Sequence, residues 1–173
     1  MVLELKYHKN VVFKGKIYSH NIGNICNFYI DNGKIELDEY IQLPKLAKIV
    51  VRDQAHIKFG RNCYINHNFV CVAHKSIEIG DNVSIGPNCC IFDHDHYFQN
   101  NGQEHGKYKT GEVKIEDNVW IGAGVIILRN TIIGKNAIIG AGTLVKGIIP
   151  PNSIVTNEKR IKIRNLSIDN EMK

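Results

Sequence analysis

The four residues Asp93-His94-Asp95-His96 put two imidazoles and two carboxylates within one turn's reach of each other. Histidine titrates near neutrality, so it can take a proton from an attacking hydroxyl or amine. A carboxylate beside it can orient the ring and raise its basicity. His94 and His96 are thus candidate general bases, and Asp93 and Asp95 candidate orienting groups. The residues alone leave a second reading open, in which both histidines belong to a charged surface turn. Directly after them, residues 97–112 (Y-F-Q-N-N-G-Q-E-H-G-K-Y-K-T-G-E) form a polar, glycine-containing stretch. A long loop inside a regular chain is more often functional than accidental.

The regularity that this stretch interrupts is a six-residue repeat. From Ile115 the chain reads I-E-D-N-V-W, I-G-A-G-V-I, I-L-R-N-T-I, I-G-K-N-A-I, I-G-A-G-T-L and V-K-G-I-I-P. The first position is Ile115, Ile121, Ile127, Ile133, Ile139 and Val145. The fifth is Val119, Val125, Thr131, Ala137, Thr143 and Ile149. Earlier hexads start at Ile79, Ile85 and Ile91, and others at Phe59 and Ile65. Between Cys71 and Ile79 the repeat slips by two residues. One hexad is a short strand plus a corner and cannot bury its apolar residue alone. Hexads stacked in register build a continuous Ile/Val column, and three make one triangular coil of roughly 18 residues. Gly or Asn at the second and fourth positions frees the corner backbone.

Composition agrees with this frame. The 173 residues include 27 Ile and 13 Val against 8 Leu and 6 Ala, with 19 Asn and 15 Gly at hand for corners. β-Branched residues suit a pleated surface and lose rotamer freedom in a helix. A helix bundle and a Rossmann fold are hard to reconcile with this balance. One domain is expected, with residues 1–50 as an irregular N-terminal β cap or first coils. Residues 51–152 form the repeat, with the loop 97–112 inserted, and residues 153–173 a basic tail. The net charge of +5 is too mild and dispersed to argue for nucleic acid. No run of 18 apolar residues suggests a membrane span, and the first ten residues lack a signal-peptide core. Five cysteines without a C-x-x-C pair point to a reduced, cytoplasmic setting. Cys63, Cys71 and Cys89 fall at positions suited to small buried hydrophobes, which argues against a cysteine nucleophile.

The hexads and the loop after a His-containing hexad are joined by V-W-I-G-A-G (119–124), I-G-A-G-T-L-V (139–145) and I-P-P-N (149–152). Together these resemble the hexapeptide-repeat acyltransferases, in the galactoside/maltose acetyltransferase-like or polysaccharide O-acetyltransferase branch. The resemblance implies an all-β fold, a left-handed parallel β-helix with one long active-site loop. It also implies a homotrimer with acyl-CoA in the groove between neighbouring prisms. Aligning Gly86-Pro87-Asn88 without a gap puts the family's base on His96. The same resemblance places Trp120 near the thiol end of CoA, Ala123 at the thioester and Ala141 at pantetheine. Lys146 and Arg164 fall towards the nucleotide end. Asn66 matches an acceptor-sugar contact, whereas His74 stands where that branch has an acidic residue, so the acceptor is expected to differ. The tail V-T-N-E-K-R-I-K-I-R lacks the Gly and Pro of the family's usual segment.

The function so implied is acetyl transfer from acetyl-CoA to a sugar hydroxyl, without a metal. N-acetylation of an amino sugar, free or nucleotide-linked, is the alternative within the fold. From other classes, a γ-carbonic-anhydrase-like metal protein would use His67, His74, His94 or His96, and a scaffold would need none of them.

Overall fold

The computed structural model describes residues 10–14, 17–18, 27–44, 46–100 and 102–157. Cys26, Arg164 and the other basic residues of the tail lie outside them. All regular elements among the described residues are strands. They wind as a left-handed parallel β-helix of hexapeptide repeats, with three faces per coil.

Register makes the coils explicit. On the first face Ile35, Ile57, Ile77 and Val113 lie opposite one another, followed by Thr131. On the second face Ile65, Ile85, Ile121, Ile139 and Val155 align. The third face aligns Ile49, Cys71, Ile91, Ile127 and Val145. Successive hexads therefore do not stack on each other. They turn through the three faces, and every third one stacks, which divides the expected single column into three. Burying these residues on one another is the main stabilising term, since each contributes roughly 1.5–3 kcal/mol.

Coils also form ahead of the clean hexads. Strands Lys34–Leu37, Ile41–Gln42 and Lys48–Val51 make a full coil, and Asn27–Ile30 pairs below the last of them. The frame is obscured there because the corners are longer. Val51 and His56 are separated by four residues, Ala73 and Ser76 by two. The slip between Cys71 and Ile79 is this second corner, His74-Lys75.

The two recurrent small positions do different work. The second-position Gly122 has no room for a side chain, because a Cβ would lie 2.7 Å from the Ala141 nitrogen. The fourth position is left-handed backbone, with φ near 57° at Asn118 and 60° at Asn136. Asparagine tolerates that conformation and adds a ladder of amide bonds between coils. Asn62 donates to Asn82, Asn82 to Asn118, Asn118 to Asn136 and Asn136 to Asn152, at 2.8–3.1 Å. Fifth-position hydroxyls turn inward and donate to the carbonyl three residues back, as Thr131 does to Leu128 and Thr143 to Gly140, both at 2.6 Å.

Asn118→Ala must pay the left-handed backbone penalty and lose two ladder bonds, whereas Asn118→Gly loses only the bonds. Denaturant unfolding should show a loss of about 2–3 kcal/mol for the alanine variant and about 1 kcal/mol less for glycine.

Candidate functional site

The corner between the third and first faces carries the insertion. The chain leaves it at Asp93 and returns at Gly111, whose N–H donates to the Asp93 carbonyl at 2.7 Å. Between them strands His94–Gln99 and Gly102–Thr110 form an antiparallel hairpin, pairing His96 with Tyr108 and Asp95 with Lys109. The polar stretch expected as a loop is thus an ordered ribbon that begins at His94.

Asp93 occupies the core position filled by Val51 and Ala73 in the two preceding coils, and it is wholly buried. An unpaired carboxylate there would cost several kcal/mol. Both its oxygens are satisfied by the slipped corner: His74 N–H donates to Oδ1 at 2.8 Å and Lys75 N–H to Oδ2 at 2.6 Å. His94 Nδ1 lies 3.3 Å from Oδ1. Asp95 turns elsewhere, because neighbouring strand residues face opposite ways. Its Oδ2 accepts from Arg129 Nε at 2.5 Å. Of the two carboxylates expected to orient an imidazole, only Asp93 touches one.

Four rings converge here. The His74 centroid is 4.2 Å from His94 and 3.9 Å from Tyr108. Tyr108 is 5.4 Å from His94 and 5.3 Å from His96. His74 is nearly buried and its Nδ1 bonds Asp53 Oδ2 at 2.6 Å. His96 is exposed, with Nδ1 2.8 Å from Gln103 Nε2. The structure therefore brings His74, Asp93, His94, Asp95 and His96 to one corner, and exposed Lys146 sits at the same corner two coils on.

The other expected residues line the neighbouring corner. Ala123 is stacked on Ala141, with Gly142 N–H donating to the Ala123 carbonyl at 2.7 Å. The N–H groups of Gly122 and Gly124 serve the ladder between coils, while that of Ala123 takes no part in it. Asn66 begins the same corner lower in the stack, its Oδ1 accepting from the His67 N–H at 2.8 Å. Trp120 stands outward on the adjoining second face, 57% exposed. One full face, carrying Ile126 to Leu128, separates this group from the histidines. His67 is on the Asn66 corner, apart from the other three histidines. Among the described residues no group of three or more His, Cys, Asp or Glu is arranged to hold a metal ion.

Residues 112–147 match the family model described as bacterial transferase hexapeptide (six repeats). The solved maltose O-acetyltransferase of Clostridium difficile 630 is 31% identical, with a TM-score of 0.53 over 88% of this chain and 72% of that one. The chain belongs to the hexapeptide-repeat acyltransferases. The galactoside O-acetyltransferase of Lactococcus lactis subsp. lactis is 40% identical over 115 residues, 66% of this chain and 54% of that protein. A hexapeptide-repeat acetyltransferase from Vibrio cholerae O1 biovar eltor, solved with acetyl coenzyme A, is 28% identical with a TM-score of 0.57, over 64% of this chain and 59% of that one. The chain spans about half the length of the curated relatives it matches.

Three residues of the histidine corner were not legible in the sequence: Asp53, Tyr108 and Arg129. Asp53 lies one coil before His74, so carrying the coil period back through the longer corners would have found it. Tyr108 needed the register of the hairpin. The side chains of Cys63, Cys71 and Cys89 meanwhile stay inward. Cys63, in a fifth position, donates to the Gly60 and Gly80 carbonyls, and burial pushes its pKa up from 9.0 to about 12. A thiol so held is a poor nucleophile. Between pH 9.0 and about 12 the unfolded chain gives up this proton and the folded chain keeps it, so stability falls as pH rises through that window. Thermal melts from pH 8 to 11 should show this fall, with a shallower slope in Cys63→Ala.

Proposed function

We propose that this chain transfers the acetyl group of acetyl-CoA to a sugar hydroxyl, in the making of a surface polysaccharide or oligosaccharide. The observation that carries the reading is the convergence of His74, His94, His96 and Tyr108 where the hairpin leaves the coils. An imidazole of that cluster accepts the hydroxyl proton as the oxygen attacks the thioester carbon. A tetrahedral oxyanion forms, and the Ala123 N–H, unused by the ladder, suits its stabilisation. The C–S bond then breaks, and the thiolate takes the proton from the imidazolium as CoA leaves.

The cofactor's remaining contacts follow the family resemblance: Trp120 at the thiol end, Ala141 along pantetheine, then Lys146 and Arg164. Basic groups there can pair with phosphates. Because one face separates Ala123 from the histidines, a single prism holds only half of this arrangement. A homotrimer, in which the hairpin corner of one copy meets the Ala123 corner of the next, completes it. The third face from Val70 onward supports such packing, since its outward residues Val70, Val72, Cys90, Phe92, Ile126, Leu128 and Leu144 are apolar or nearly so, with exposed Lys48 in the coil before them. The free thiols Cys63, Cys89 and Cys90 suit a reducing, cytoplasmic setting.

Thiol release from acetyl-CoA, followed against a panel of sugars, tests the reading. At least one sugar should stimulate release, and the double substitution His94→Ala/His96→Ala should lower it about 100- to 10,000-fold. Undiminished release in the double variant would remove the proposed base. Trp120→Ala should raise KM for acetyl-CoA about tenfold, the size of one lost aromatic contact. Light scattering should report three chains per particle, and Ile126→Glu should yield monomers that no longer turn over.

A further inference from the structure

We infer that the acceptor is a neutral oligosaccharide of three or more units, and that the coils below the histidines hold the units remote from the reacting one. This rests on the acetyl-transfer reading above and gives its acceptor a length and a charge. A cavity of about 490 Å³ opens where the third face turns into the first, with Asn10, Asn32, Lys34, Glu36, Gln54 and His56 in its wall. That volume lies in the range of small-molecule sites. Gln54 belongs to the corner one coil below His74-Lys75, and Asn32 to the corner below that. Two coil steps therefore separate Asp93 from the upper rim of the cavity, and three separate it from Asn32. At the spacing of paired strands these are roughly 10 and 14 Å. A hexose unit is about as long as one such step, so a single sugar at the histidines ends short of the cavity and a chain of three enters it.

This corner differs from the other two in what its amides do. Between the first and second faces the left-handed asparagines from Asn62 to Asn152 are taken up by one another. Between the second and third faces Asn68 donates to Asn88 at 3.0 Å. Asn32 and Gln54 share the left-handed backbone, with φ 56° and 63°, yet their side-chain amides bond nothing among the described residues. Two consecutive left-handed residues, Asp53 and Gln54, stand over the single Asn32, which breaks the register an amide ladder needs. An amide both donates and accepts, as a sugar hydroxyl does. His56 Nε2 is buried without a hydrogen bond among the described residues, Glu36 Oε1 lying 3.6 Å away. A buried polar atom left so is a cost that a ligand hydroxyl removes. Lys34 Nζ is 2.5 Å from the same Glu36 oxygen, so the lysine in the wall is already paired and offers little to an anionic sugar.

A polar column joins the cavity to the histidines. Lys34, His56 and Ser76 lie outward on the first face, one above another, and Ser76 directly follows the corner His74-Lys75. The Ser76 hydroxyl also forms no hydrogen bond among the described residues. The column is on the first face, so the packing proposed for the apolar third face leaves it uncovered.

Acceptor length and corner variants test this by thiol release with the full-length chain. The probes are glucose through maltotetraose and galactose through β-1,4-galactotetraose. In at least one series wild-type kcat/KM should rise about tenfold or more from the single sugar to the tetramer, the effect of two or three added hydrogen bonds. Asn32→Gly/Gln54→Gly keeps the left-handed backbone, removes both amides and should bring that ratio below about threefold. Loss of folding would lower both acceptors alike and leave the ratio, so it cannot pass for this effect. Equal wild-type response to single sugar and tetramer in both series, or a ratio that survives in the double variant, overturns the proposal and leaves acetyl transfer standing. Calorimetry without acetyl-CoA separates the opposite failure. Tetramer binding that weakens about tenfold in the double variant, in a chain that releases no thiol with any sugar, supports the oligosaccharide site and overturns the acetyl-transfer reading. A wild-type chain that neither binds a tetramer nor releases thiol overturns both.

Discussion

A triangular coil six residues to a side has no interior room for an unanswered charge, yet Asp93 sits there. That is tolerable only because the preceding corner is two residues longer than the repeat requires. The extra residues, His74 and Lys75, turn their N–H groups inward onto the two carboxylate oxygens. The carbonyl of the same aspartate receives Gly111, where the hairpin rejoins the coils. One residue thereby closes the corner below it and the insertion above it, and holds the first histidine of the ribbon. Replacing it with the Val or Ala of neighbouring coils would keep the core filled. It would also free both corner N–H groups and the ring.

The hairpin is pinned by contacts of different character. Asp95 is paired with Arg129 from the next coil, Lys75 with Glu112, and Tyr108 lies against His74. Exposed ion pairs of this kind are each worth less than about 1 kcal/mol. The aromatic stack and the main-chain bond at Gly111 are less sensitive to salt. The base of the ribbon is consequently better held than its tip, where Phe98 is 70% exposed. Groups that must keep a fixed geometry belong at the base, and His94 is there.

What could be read in the sequence follows from how locally each feature is encoded. The hexads after Ile115 are nearly pure translation of one strand and one corner, so fold class, buried positions and left-handed Asn or Gly corners were all visible. Coils before residue 56 were not, because corners of two and four residues break a six-residue frame without breaking the stacking of Ile35 on Ile57. Asp53, His74 and Arg129 come from three different coils, and their meeting depends on those corner lengths. The pairing of His96 with Tyr108 depends on hairpin register, which a polar stretch lacking an alternating apolar face specifies weakly. Asp93 was seen as a partner for histidine, but its burial was hidden. Its position in the hexad is the clue, since it continues the line of Val51 and Ala73.

The contrast between His94 and His96 shows where alignment and hydrogen bonding give different kinds of information. Counting from Gly86-Pro87-Asn88 compares backbone positions, and on that measure His96 is the family's equivalent. A ring's own contacts are a different kind of information, and these are a carboxylate for His94 and an amide for His96. The family's galactoside-like branch is expected to have an acidic residue where this chain has His74. With His74 packed against His94 at a tilt and tied to Asp53, the imidazoles here form a supported pair inside the corner.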